Sequence, residues 1–414
     1  MNYMGSRLSA QRHRNPRENI GHETAFRKHR PDYSLPILMS ILLVLGAVVV
    51  FAIGPGLTNG TNLPENYYSV KQIISIILGI IGFGVASFIP INRWKKLQYP
   101  IIGLAIIVAF LVRIIGDEIY GAHRWIQIAG FSFQAAELIK LAIVLWLADY
   151  LSSRQSSFSQ YETHILRNIG ILIGAIAVVV AGLQSDLGSA AVMMAVVGMM
   201  GFVSGMPMKK LLTVGSVVML IGLIAIVSTP YRRERVATFL NPAADCQAEG
   251  YQACQALITI GSGGMFGKGL GKSVQAYGYL PKPENDSIFA IVAEKFGFVG
   301  TVAVISVFWL LFRKISAVAR SAPTEYSKLL VTGVLVWLST QMFINVGAMV
   351  GLLPLKGITL PFVSYGGTSV IFVMIAMGIV FNISRYTELD ASHNKKQFND
   401  KQSLRIRYSG ARRI

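Results

Sequence analysis

PKPENDSIFAIVAEKFGFVG, residues 281–300, decides the fold. Asp286 stands at the head of an apolar run that opens at Ser287 and continues to Phe312. A run of about 20 apolar residues crosses a bilayer core as a helix. An acid at the mouth of such a span is costly when desolvated, and it marks a functional site. Upstream lies a long connection, from about Pro230 to Asn285, rich in glycine and in cations. A carboxylate beside a cationic, glycine-rich segment at a membrane surface points to chemistry on a charged, lipid-linked substrate.

Working outward from this span, similar apolar runs recur. They predict helices over 35–53, 71–91, 100–116, 135–151, 168–184, 188–206, 211–229, 287–312, 328–348 and 367–384. The expected fold is therefore an all-α polytopic membrane protein of about ten transmembrane helices, with a large extracytoplasmic loop between helices 7 and 8. Composition agrees: of 414 residues, 53% are hydrophobic and 14% charged, whereas a soluble domain carries about 25% charged residues. The first apolar stretch follows a tail of more than thirty residues, which is not the pattern of a cleavable signal peptide.

The net charge of +18 is concentrated. A basic tail, 1–33, holds Arg7, Arg12, Arg14, Arg17, Arg27, Lys28 and Arg30, and a second, 385–414, holds Arg385, Lys395, Lys396, Lys401, Arg405, Arg407, Arg412 and Arg413. Between them lies the transmembrane domain, 34–384. Arg93, Lys95, Lys96, Arg154, Arg167, Lys209, Lys210, Arg313, Lys314, Arg320 and Lys328 fall on the same side as both tails, while segment 54–70 on the other side has no Lys or Arg. Cytoplasmic connections carry the excess of Lys and Arg, so both termini are expected in the cytoplasm of a bacterial cell (inner) membrane, with loop 230–285 outside. The tails fit retention and contact with anionic membrane lipids. They show no interleaved aromatics, and nucleic acid is not an expected partner.

Three outside segments break the charge rule. Arg124 lies in 117–134; Arg232, Arg233, Arg235, Lys268, Lys272 and Lys282 lie in the large loop; Lys356 lies in 349–366. Long loops translocate regardless of charge, and an anion site such as one for a diphosphate is the other reading. GSGGMFGKGLGKS, 261–273, is not a phosphate-binding loop of the nucleotide type, because the position of its first required glycine is Phe266. Cys246 and Cys254, eight apart in the outside loop, fit a local disulfide in an oxidising compartment, with two free thiols as the alternative. Gly170/Gly174 and Gly201/Gly205 have helix-packing spacing. No zinc-type ligand cluster is present in the sequence.

Several blocks together resemble the SEDS family (shape, elongation, division, sporulation), which includes RodA and FtsW, over about residues 35–386. They are RWIQIAGFSFQAAELIKL from Arg124, LQSDLGSA from Leu183, YRRERVATFLNP and GYQACQAL in the large loop, GSGGMFGKGLGKSVQ and YLPKPENDSIFAIVAEKFGFVG at its end, and GLLPLKGITLPFVSYGGTS in the last outside loop. KGITLP and FNISRY are more similar to FtsW than to RodA. The chain departs from the family's pattern at Ala135–Ala136 in place of Pro-Ser, at Ser185 in place of Pro, at Glu284–Asn285 in place of His-Thr, at Ser287 in place of an apolar residue, and at Lys295 in place of the second Glu.

The resemblance implies a peptidoglycan glycosyltransferase that polymerises lipid II during cell division or growth, working with a class B penicillin-binding protein transpeptidase and other division or elongation proteins. The alternative is a lipid II flippase, which needs no base at the outer surface. For inverting transfer with polyprenyl diphosphate as leaving group, one carboxylate in reach of the acceptor hydroxyl suffices. Asp286 is the expected base, with a helix cap as its other reading. Arg124, Lys140 and Lys356 are candidates for diphosphate contact, Arg124 and Lys356 being equally readable as interfacial anchors. Glu137 and Lys140, three apart on one helix face, also suit a buried ion pair. Asp186 is expected at a helix terminus or at substrate, Glu294 about two turns below Asp286 on its face, and Ser364 as a hydrogen-bond donor or at a helix start. No cofactor is certain; a divalent cation, Mg or Mn, is compatible with a diphosphate leaving group, although no acidic cluster demands one.

Overall fold

The computed structural model describes residues 26–60, 62–119, 122–128, 131–154, 162–184, 186–227, 233, 239, 246–247, 250–355 and 357–388. The chain is mostly helical. The helices are α1 (Ser34–Thr58), α2 (Tyr67–Phe88), α3 (Ile91–Ile115), α4 (Ala135–Ser152), α5 (Glu162–Ile176, continued by a π-helical turn over Ala177–Leu183), α6 (Leu187–Val203) and α7 (Met208–Val227). After the large loop come α8 (Tyr251–Ser262), α9 (Ile288–Arg320), α10 (Glu325–Met349) and α11 (Thr368–Ile383). Each of the ten expected spans falls on a helix. Among the described residues, α1, α2, α3, α9 and α10 are long and apolar enough to cross a membrane, and α6 and α11 are shorter apolar helices.

Two features depart from an all-helical expectation. Residues 117–134, read as a plain connection, form a three-stranded antiparallel sheet of β2 (Asp117–Ile119), β3 (Ala122–Ile128) and β4 (Phe131–Gln134). Its signal is the two-residue alternation of WIQI and FSFQ. Ile128 faces Phe131 across a two-residue connection. The second departure is α8, a helix inside the large loop, too short to span. Cys254 on α8 is disulfide-bonded to Cys246, with their Cα atoms 5.7 Å apart. Under unreduced, denaturing conditions neither thiol should therefore alkylate, and both should after reduction. Closing so short a loop stabilises the protein by at most about 2–3 kcal/mol.

The two ends of the bundle are distinct. At one end β1 (Phe26–Lys28) pairs antiparallel with β5 (Tyr386–Glu388), so the two expected tails leave from one place. Here Lys314 lies 3.4 Å from Asp32, Lys95 lies 3.5 Å from Asp149, and Lys95 sits over the Tyr326 ring. The cationic connections thus gather at the end of the bundle that carries both chain ends. Arg93, Lys95 and Lys96 belong to the first turns of α3 rather than to a loop; long cationic stems reach the membrane surface from a helix end. The remaining tail residues, 1–25 and 389–414, lie outside the described set.

Close packing joins α2 to α11. A side-chain carbon added at Gly79 or Gly82 would meet Met374 or Ile375, and one at Gly378 would meet the Phe83 backbone. Small residues let helix backbones approach when lipid supplies no hydrophobic drive. The spacing motif at Gly170 and Gly174 does not do this; both face open space among the described residues.

Candidate functional site

The other end of the bundle holds Asp286. Ser287 is the residue that precedes α9, and it makes no side-chain cap hydrogen bond. The cap position of α9 is thus held by Ser287, one residue after Asp286. Its side chain is buried. Three consecutive carbonyls hold its peptide. Glu284 O accepts from Tyr365 N at 2.8 Å, Asn285 O from Ser364 Oγ at 2.6 Å, and Asp286 O from Asn345 Nδ2 at 2.8 Å. The second Asn345 N–H donates to Ile358 O at 2.6 Å, so one amide ties the mouth of α9 to the last outside loop. Asp286, Asn345, Gly357 and Ile358 line a small cavity together with apolar residues of α10. Each of the two loops framing the carboxylate contains a non-glycine residue in the left-handed region, Lys282 (φ 47°) and Phe362 (φ 66°). Such conformations persist only where the surroundings over-determine them.

Ser364 is neither a free donor nor a helix start. Its hydroxyl proton goes to Asn285 O, its oxygen accepts from Leu360 N at 2.7 Å, and the residue before α11 is Gly367. The serine acts as a staple between two loops. Thr368 and Gln134 join the same region, with Gln134 N donating to Thr368 Oγ1 at 3.0 Å. The sheet and α4 therefore meet α11 beside the Asp286 segment. Arg124 falls on β3 of this sheet, and its side chain lies outside the described set. Lys356 lies outside the described residues altogether.

Glu284 adds an acid that the sequence reading did not weigh. Burial pushes its carboxyl up to about 7, with the nearby Asp286 charge acting in the same direction. A carboxyl raised from 4.5 stabilises the fold while protonated, and that contribution is lost as pH rises from about 4.5 through about 7. Glu284→Gln should flatten the fall in thermal stability over that pH window. An unchanged slope would mean that Glu284 does not titrate there.

Lys140 does not reach the outer surface. It is buried in α4, with Nζ 2.8 Å from Glu137 Oε1 and 3.1 Å from Gln341 Oε1. Gln341 also accepts from Trp337 Nε1 at 2.8 Å and donates to Thr359 O at 3.1 Å. The structure thus favours the ion-pair reading over diphosphate contact: Glu137 and Lys140 form the root of a polar network that runs through α10 to the last outside loop. Gln341 and Asn345, the branching points, were missed in the sequence. Their signal is two amides at i, i+4 within an apolar span.

Asp186 precedes α6 and accepts from Ser189 N at 3.0 Å, a cap that satisfies one orphan donor of the helix. The helix-terminus reading accounts for it. Glu294 is also committed to structure. Its carboxylate is fully buried and accepts from Ser273 Oγ, from Val274 N at 3.2 Å and from Gln275 N at 3.5 Å, with Lys268 Nζ 3.5 Å away. Lys295, at the family's second Glu position, donates to Leu270 O at 2.6 Å. The two side chains bind the glycine-rich segment 268–275, so Lys268, one of the loop cations read as a candidate for an anion, is drawn into the fold. Among the described residues, no group of three or more His, Cys, Asp or Glu side chains converges to hold a metal ion.

With this geometry in view, comparison with known proteins is direct. The cell cycle protein family of FtsW, RodA and SpoVE matches residues 33–389. The chain belongs to this family. Stage V sporulation protein E of Bacillus subtilis is 33% identical over 369 residues, spanning 87% of this chain and 99% of its own length. The probable peptidoglycan glycosyltransferase FtsW of Saccharophagus degradans is 36% identical over 361 residues, spanning 86% and 92%. Among solved structures, a chain of a peptidoglycan synthase complex that coordinates polymerization and crosslinking superposes with a TM-score of 0.70 at 29% identity, covering 86% of this chain and 98% of that one. Thermus thermophilus rod shape determining protein RodA superposes with a TM-score of 0.64 at 27% identity, covering 86% and 97%. The FtsW/RodA/SpoVE fold is thus a multi-pass membrane fold here, and the FtsW-like reading of KGITLP and FNISRY agrees with the curated FtsW relatives.

Proposed function

We propose that the protein is a peptidoglycan glycosyltransferase of the FtsW type, which polymerises lipid II into glycan strands. The observation that carries this reading is Asp286: a buried carboxylate at the mouth of a span, with its peptide fixed at three successive carbonyls. A flippase has no use for a fixed acid there. The acceptor 4-hydroxyl of one saccharide gives its proton to Asp286 as its oxygen attacks the anomeric carbon of the donor. The anomeric C–O bond to the diphosphate breaks and the configuration inverts. The diphosphate is already a good leaving group and needs no protonation, so a single base suffices. Burial favours the neutral form of the neighbouring Glu284 carboxyl, which lessens repulsion of the Asp286 carboxylate.

Arg124 and Lys356, both on the side of the Asp286 mouth by chain position, are assigned to the diphosphate. A divalent cation, if used, arrives with that diphosphate. The polyprenyl tail suits an apolar groove of about 440 Å³ between α3, α4 and α5, walled by Ala105, Ile139, Ala142, Trp146, Leu172 and Ile176. The side of the bundle carrying Asp286 faces away from the cytoplasm and both chain ends face into it, following the distribution of cations. The partner is a class B penicillin-binding protein that cross-links the strands, a reading supported by the structural likeness to a peptidoglycan synthase complex. The test is glycan-strand formation from lipid II by the purified protein, with and without that partner, beside lipid II translocation in liposomes. Translocation without polymer under either condition would replace the polymerase with the transporter.

A further inference from the structure

The large loop is not wholly outside the bilayer. We propose that α8 and the glycine turn after it form a re-entrant hairpin whose tip, Met265–Phe266, lies among lipid acyl chains in the leaflet from which it enters. The inference does not depend on the enzymatic reading.

It starts from a break in α9. Gly297 has φ 66° and ψ −165°, which interrupts the helical ladder within the span. The groups released by the break are paired with the turn. Phe298 N donates to Gly264 O at 2.9 Å and Val299 N to Met265 O at 3.1 Å. In return, Lys268 N donates to Glu294 O at 2.9 Å and Gly269 N to Lys295 O at 3.0 Å. Gly267 and Gly297 meet so closely that a side chain on either would collide with the other's backbone region. The turn is therefore at the depth of residues 294–299.

That depth can be estimated. Arg313 and Lys314 mark the charged end of the span. Fifteen residues separate Phe298 from Arg313, which is about 22 Å of helix. Against a hydrocarbon core of about 30 Å, Phe298 and the turn stitched to it lie about 8 Å inside the far edge. The surface agrees. Residues 288–295 are buried in the protein, and the exposed apolar face of α9 begins at Phe298, 61% exposed. Phe266, 81% exposed, and Met265, on the bonded turn, extend that face, and Leu257 and Ile258 on α8 are exposed apolar residues as well. Irregular backbone survives at membrane depth only where its polar groups are satisfied by protein. The four bonds across the break pair backbone groups of Gly264, Met265, Lys268 and Gly269 with those of α9, and Lys268 and Lys295 are matched by Glu294 and Leu270 O.

The sequence holds two cysteines and the structure bonds them to each other, so an introduced cysteine is a single labelling site. Nitroxide-labelled Phe266→Cys and Met265→Cys, in the full chain in liposomes, are read by collision with oxygen and with a water-soluble nickel chelate. Val302→Cys, on the exposed face of α9, and Asn62→Cys, in the exposed segment before α2, set the lipid and water limits. Both tip positions should favour oxygen over nickel, somewhat less than the deeper Val302 and well above Asn62. Nickel access at the Asn62 level would put the tip in water and overturn the proposal. Protection from both reagents would place protein over it, and would overturn the proposal equally.

Discussion

Asp286→Asn should fold, reach the membrane and bind lipid II, yet lose glycan polymerisation by about 10²-fold or more, as expected when a positioned general base is removed. The substitution is nearly isosteric. Three hydrogen bonds hold the segment by the backbone carbonyls of Glu284, Asn285 and Asp286, and these persist in the variant. Asn is itself a favoured residue at helix starts, so the beginning of α9 is kept. The measurement is strand formation by the purified variant with its transpeptidase partner, beside lipid II binding. Near wild-type polymerisation would remove Asp286 from the base role.

The largest stability effect is expected at Lys140. Lys140→Ala leaves Glu137 buried without its cation, and the second carboxylate oxygen of Glu137 already has no hydrogen-bond partner among the described residues. Removing one partner of a buried pair costs about 3–5 kcal/mol, because the remaining charge is uncompensated. The paired change Glu137→Gln with Lys140→Met removes both charges and should recover most of that loss. Thermal unfolding of the three proteins in detergent checks both statements. Equal loss in the single and double variants would mean that the packing of Lys140, rather than its charge, is what matters.

Much of the fold could be read from length and charge. Each apolar run became a helix, because a buried or lipid-facing backbone must satisfy its own hydrogen bonds. The gathering of cations at one end also followed, with Lys314–Asp32 and Lys95–Asp149 as its structural trace. The sheet over 117–134 was written in a two-residue alternation, but it was hidden by its position between spans. The roles of the charged residues were less legible. Glu294, Lys140 and Asp186 looked like site residues because an ionised group near a span is conspicuous, and sequence cannot say whether its partner is substrate or protein. In each case the partner was protein: a turn, a carboxylate and a helix end. The residues that fix the site, Asn345 and Ser364, are neutral and short, and their bonds run to carbonyls about 59 and 79 positions away in the chain. No local pattern encodes such a pairing.

The triple anchorage of Glu284, Asn285 and Asp286 has a thermodynamic consequence. Fixing a backbone costs about 1–2 kcal/mol per residue, or about 3–6 kcal/mol for these three. Because the anchorage is built into the folded chain, that ordering is completed once, at folding, and does not recur with each sugar added. In the proposed reaction the carboxylate is already in place when each saccharide is brought to it. Loosening the anchors would return that cost to every turnover as a less favourable activation entropy, with the chemistry at the anomeric carbon unchanged.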